Sequence, residues 1–165
     1  MAVEFYIKVT REIAWSTVRA RAHAILAEKL VGASEDVSFE AVGADPDALQ
    51  IGPAALDMQV RVGADARVEL SCAWIPEDPA EPLDSGWSLN LAIWRTDESF
   101  LAGMVLAAAL GELMSSPIID DSALLSGPRL RDPREVIALI RPSASLHASA
   151  SATRRALRAG TAGES

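Results

Sequence analysis

Apolar and polar positions alternate at the start of the chain: Val3, Phe5, Ile7 and Val9 are separated by Glu4, Tyr6 and Lys8. Successive side chains on an extended backbone point to opposite sides, so this is the pattern of a strand with one buried face. The period then lengthens. Trp15, Val18, Ala22, Ile25 and Leu26 fall in one helical stripe, with Arg19, Arg21 and Glu28 toward its edges. A long amphipathic helix is therefore predicted between Thr10, a candidate cap, and Gly32, a candidate terminator. Alternation returns in Val37, Phe39 and Ala41, and a loop follows over residues 43–53, punctuated by Gly43, Pro46, Gly52 and Pro53. Met58, Val60 and Val62, then Ala66, Val68, Leu70, Cys72 and Trp74, alternate on either side of Gly63-Ala64-Asp65. That spacing predicts a hairpin with a three-residue connection. Trp87, Leu89, Leu91 and Ile93 supply the inner face of a further strand.

The stretch from Thr96 to Asp121 organises the rest. Thr96 is suited to cap a helix, and Asp97 and Glu98 place negative charge where the helix dipole is positive. From Phe100 to Gly111 no charged or strongly polar residue occurs on any face, and such a helix must be enclosed on most sides. The run is shorter than the ~20 residues needed to cross a bilayer, and Glu112 closes it. Gly103, Ala107 and Gly111 line one stripe where another backbone can approach closely. Pro117 stops the helix, and Ile118-Ile119 form a short strand running into Asp120-Asp121. Asp132 as cap and Pro133 at the first helical position start a short helix that presents Val136, Ile137, Leu139 and Ile140. From Ser143 onward Ser, Ala and Arg predominate, which predicts a flexible tail over 143–165, or at most one short basic helix around Ala152 to Ala159, after a single domain over 1–142. The order of elements fits an α+β fold: an antiparallel or mixed sheet with one long amphipathic helix and one buried apolar helix packed on one face.

Composition narrows the function classes. The net charge is −8; three arginines against one glutamate leave +2 after residue 143 and −10 in the rest. An acidic body repels phosphate backbones, which argues against nucleic-acid binding, and attracts a basic protein or a cationic ligand. Cys72 is the only cysteine, which excludes an internal disulfide and a thiolate zinc cluster. It stands in the apolar register, so it reads as a small buried side chain. No thiol framework and no continuous apolar segment at the N-terminus point to secretion, so the cytoplasm is the expected compartment. His23 on the flank of the first helix has no identifiable partner, and no phosphate loop, GxSxG, HExxH or CxxC pattern occurs. No cofactor is expected.

Two acidic features remain. The segment PEDPAEPLDSG, residues 76–86, carries Glu77, Asp78, Glu81 and Asp84 among three prolines. It reads as a solvated connection or, functionally, as a semi-rigid acidic arm, because proline lowers the ordering entropy lost on binding. Asp120 and Asp121 could share a metal or divide acid and base roles. Neighbouring strand residues diverge, however, and Asp97 and Glu98 lie a helix length of about 27 Å away, so turn-forming aspartates are the simpler reading.

The segment Ala107 to Ser122, an apolar Ala/Leu-rich helix leading to a short strand that closes in Asp-Asp-Ser, resembles segments of small acidic α+β bacterial proteins, including immunity proteins of polymorphic toxin systems. The resemblance implies a single-domain, non-catalytic inhibitor of a basic toxin, and it assigns no residue. The leading expectation is thus a non-catalytic binding protein that contacts a basic partner through Glu77, Asp78, Glu81 and Asp84. The alternatives are a metal-dependent enzyme built on Asp120 and Asp121, and a structural subunit that forms a homodimer through the Gly103, Ala107, Gly111 stripe.

Overall fold

The computed structural model describes residues 3–32, 37–80, 85–123, 125 and 127–162. In chain order they form β1 (Val3–Lys8), β2 (Ile13–Ala14), α1 (Trp15–Lys29), β3 (Phe39–Ala41), β4 (Gln50–Ile51), β5 (Leu56–Val62), β6 (Ala66–Ile75), β7 (Gly86–Ile93), α2 (Asp97–Met114), β8 (Ile118–Asp120), β9 (Leu130–Arg131), α3 (Pro133–Leu139) and α4 (Leu146–Ala162). Seven strands make one antiparallel sheet in the order β3-β5-β6-β7-β1-β8-β9, and β2 pairs with β4 in a separate two-stranded sheet. The fold is α+β, in one domain. The hairpin of β5 and β6 has the expected three-residue connection, with Val62 opposite Ala66.

One face of the sheet is apolar. Phe5 and Ile7 on β1, Leu89, Leu91 and Ile93 on β7, Val68 and Leu70 on β6, and Val60 on β5 are almost wholly shielded. The opposite face carries alternate polar residues, among them Tyr6 and Asn90 side by side and Ser71 beyond, as alternation requires. α2 lies against the apolar face, and α1, α3 and α4 pack against α2 in turn. It is therefore enclosed from several directions, which explains why every residue from Ser99 to Gly111 is buried. Thr96 caps it, its side chain accepting from the Ser99 amide at 3.1 Å. Ser115 ends it in a left-handed conformation (φ 50°), and the Ser116 amide donates back to Gly111 O at 2.9 Å, satisfying a carbonyl that the helix end would leave open.

Four expectations need correction. Thr10 does not cap α1: its hydroxyl donates to Met114 O, the chain makes the short strand β2 first, and α1 starts after Ala14 without a side-chain cap. The stretch expected as a loop over 43–53 contains β4, whose Ile51 is fully buried. The Gly103, Ala107, Gly111 stripe is not a dimer face, because it is buried within the chain itself. A Cβ on Gly103 would sit 2.3 Å from Ile93 Cδ1, and one on Gly111 would sit 2.8 Å from Pro133 Cγ, so the glycines admit β7 and the start of α3. Finally, residues 146–162 are not a flexible tail but the helix α4. Leu146, Ala150, Thr153 and Leu157 recur at helical spacing and are buried.

Polar groups on two fronts hold α4 in place. Ser149 Oγ donates to Arg141 O at 2.6 Å, and Thr153 Oγ1 accepts from the Arg141 amide at 3.0 Å. Arg154 lies 4.4 Å above the Phe100 ring and 3.4 Å from Asp97, and His147 Nδ1 pairs with Glu98. The acids at the start of α2 thus serve the helix dipole and α4 together.

Candidate functional site

Cys72 faces inward and is buried, its thiol 3.5 Å from Gly52 O, and burial pushes its pKa up, which keeps it un-ionised. His23 Nδ1 lies 3.2 Å from Val37 O at a hollow of about 380 Å³ lined also by Ser16, Arg19 and Phe39. No carboxylate is among that lining.

Asp120 and Asp121 diverge, as strand geometry demands. Asp120 is buried on β8, and its Oδ2 accepts from the Leu125 amide at 2.8 Å. Asp121 is exposed and pairs with Arg129 at 2.9 Å. Both therefore shape the turn that leads from β8 toward β9. Asp97 and Glu98 lie at the opposite end of α2, engaged with α4. Among the described residues no three His, Cys, Asp or Glu side chains gather where one ion could be held.

A cleft of about 710 Å³ opens between the end of α2 and the start of α3, lined by Glu112, Ser116, Arg131, Asp132 and Arg134 among others. Sequence periodicity gave no sign of it, because its walls come from residues distant along the chain. Three of its polar side chains serve the fold. Glu112 binds Arg21 of α1 through both oxygens at 2.6 and 3.1 Å, an interaction that raises the Arg21 pKa. Asp132 accepts from the Arg134 amide at 2.8 Å as the cap of α3, and Arg131 donates to Leu125 O at 2.7 Å.

The acidic segment lies beyond β6 and β7, which pair as far as Ile75 opposite Gly86. β7 is the middle strand of the seven, so the segment is rooted in the centre of the sheet. Glu77 and Asp78 are exposed. Asp78 Oδ1 accepts from the Ala80 amide at 2.9 Å, a side-chain turn that fixes the first half of the segment. Lys8 donates to Ser85 O at the other end. Glu81 and Asp84 lie outside the described residues.

At the root of this segment Trp74 faces Trp87 across the strands. Both belong to the apolar register, and alternation alone predicts that Trp74 is covered with the rest of it. It is 58% exposed instead, and Trp87 is half-buried. The cause is the diagonal course of α2. Its first turn sits over the start of β6, where Ser99 Oγ accepts from the Arg67 amide, and its last turn is tied to the chain just after β1 by Thr10 and Arg11. The helix has thus moved away before the end of β6. The indoles meet edge to face, with centroids 5.9 Å apart and planes at 74°.

No helix among the described residues is long and apolar enough to cross a membrane. Comparison with protein-family models, curated proteins and solved structures gives no match for this chain.

Proposed function

We propose that this chain is a non-catalytic binding protein of the cytoplasm, an immunity-type inhibitor or regulatory partner of a basic protein, with the acidic segment between β6 and β7 as its contact. The observation that supports this reading is the placement of Glu77 and Asp78: exposed carboxylates, in a stretch of sequence with four acids and no base, carried on the central strands of the sheet. A rigid base lowers the cost of ordering the contact, and local negative charge accelerates encounter with a basic surface.

The test joins biology to kinetics. The product of the neighbouring gene is expressed alone and together with this chain, and association of the two purified proteins is followed at low and high salt. The reading predicts relief of toxicity on co-expression and association that slows as salt rises. It also predicts further slowing when Glu77, Asp78, Glu81 and Asp84 are all reversed to Lys in a protein that still folds. Association that ignores both salt and the four reversals would contradict the contact.

A further inference from the structure

We infer that Trp74 and Trp87 anchor a docking surface for an arginine-bearing segment of a basic protein, which stacks a guanidinium on the indoles while adjacent cations pair with Glu77 and Asp78. The inference rests on the function proposed above and adds to it the chemistry of the contact.

In an edge-to-face pair the indole that supplies the edge has both faces clear of its partner and the other keeps one, and Trp74, 58% exposed, is the indole that solvent reaches most. Indole faces carry partial negative charge and attract cations, arginine in particular, because the planar guanidinium stacks and sheds water at low cost. The chain uses this chemistry internally. Its other exposed tryptophan, Trp94, has the Arg67 guanidinium 5.8 Å from its ring, and Phe100 has Arg154 at 4.4 Å. Among the described residues no cation of the chain stacks on Trp74 or Trp87, whose ring contact is with each other.

Charge selects the occupant. A second copy of this chain, docked through the same patch, would bring its own Glu77 and Asp78 against these, with −8 on each molecule. A cationic segment instead finds an exposed indole followed three and four residues along the chain by the exposed carboxylates of Glu77 and Asp78. Aromatic anchors ringed by polar groups are also where binding energy concentrates in protein interfaces.

The experiment measures binding of a fluorescein-labelled peptide of alternating arginine and serine, and of its lysine counterpart, to the full chain by polarisation at low salt. The arginine peptide is expected to bind several-fold more tightly than the lysine peptide. Trp74→Ala is expected to weaken it about tenfold while Trp74→Phe retains most of the affinity. Reversing Glu77 and Asp78 to Lys is expected to weaken both peptides, and the same two-charge reversal at Asp65 and Glu69, elsewhere on β6 and its turn, is expected to leave them near the unmodified affinity.

If Trp74→Ala binds as the unmodified chain does while the Glu77 and Asp78 reversal fails to bind, the aromatic anchor is overturned and the acidic contact stands. Loss in Trp74→Ala alone, with binding indifferent to the reversal at Glu77 and Asp78, overturns the charge pairing. Equal loss from both two-charge reversals, or no binding of either peptide, overturns the docking surface. Should Trp74→Ala melt at lower temperature, indole quenching by acrylamide in the unmodified protein decides. The arginine peptide must then shield the indoles, and unchanged quenching refutes the anchor.

Discussion

Val68, Leu70 and Cys72 leave β6 on the same side as Trp74, yet the first three are buried and Trp74 stands in solvent. Leu91 and Trp87 differ in the same sense on β7 but less far, since Trp87 is half-buried against the core. The two ends of one strand pair share a register and a chemistry, and they differ in what lies above them. At one end α2 crosses so close that a Cβ on Gly103 would meet the Ile93 side chain. At the other the helix has passed across toward β1, and Trp74 stands exposed beside a half-buried Trp87, just before Glu77 and Asp78 in the chain. Periodicity thus decides which side of a sheet a residue faces, whereas the path of the covering helix decides whether that side is dry.

The contrast can be broken most sharply at the covered end. Leu91→Ala removes a fully buried side chain from the middle strand and is expected to cost about 3 kcal/mol, read as a lower urea midpoint. Gly103→Ala drives a Cβ into Ile93 and is expected to cost about 2 kcal/mol as β7 and α2 are forced apart. A Gly103→Ala protein of unchanged stability would mean that α2 does not ride so close. Trp74→Ala, at the open end, is expected to cost about 1 kcal/mol, since the side chain is more than half exposed and loses mainly its edge-to-face contact with Trp87. A loss comparable to that of Leu91→Ala would show that both ends are core.

The smallest effect concerns α4, which closes over the start of α2. The hydrogen bond to Glu98 holds His147 above its ordinary value of 6.5, and the same contact holds Glu98 below its ordinary 4.5. The histidine contribution is complete below 6.5 and disappears as pH rises through its raised pKa. The glutamate contribution is present above 4.5 and disappears as pH falls through its lowered pKa. Attachment of α4 should therefore be firmest in the mildly acid range. Amide exchange in α4, corrected for intrinsic rates, should show protection falling above neutrality, and His147→Gln should flatten the profile.

Much of the sheet and of α2 was legible in the sequence. Alternation marked β1, β5, β6 and β7, and the Thr96, Asp132 and Pro133 signals marked helix starts, because these depend on neighbours along the chain. α4 was hidden by composition. Its buried stripe is made of Leu146, Ala150, Thr153 and Leu157, only two of them large, and its anchors on Arg141, Phe100 and Asp97 belong to distant segments. Trp74 is the complementary case, since periodicity gives its side of the sheet and is silent on whether α2 covers that end. Of the candidate contact, Glu77 and Asp78 were visible as an acid-rich, proline-rich run, whereas the indoles beside them were visible only as two more apolar strand positions.

The central claim is that the open end of β6 and β7 receives a basic segment. The chain has four tryptophans, one in the core (Trp15), two at the open end (Trp74 and Trp87) and one stacked under Arg67 (Trp94), so their indole N–H resonances report on separate places. Titration of the ¹⁵N-labelled protein with the arginine–serine peptide should move the Trp74 and Trp87 signals and leave those of Trp15 and Trp94 in place. Movement confined to Trp94, or spread equally over all four, would contradict the account.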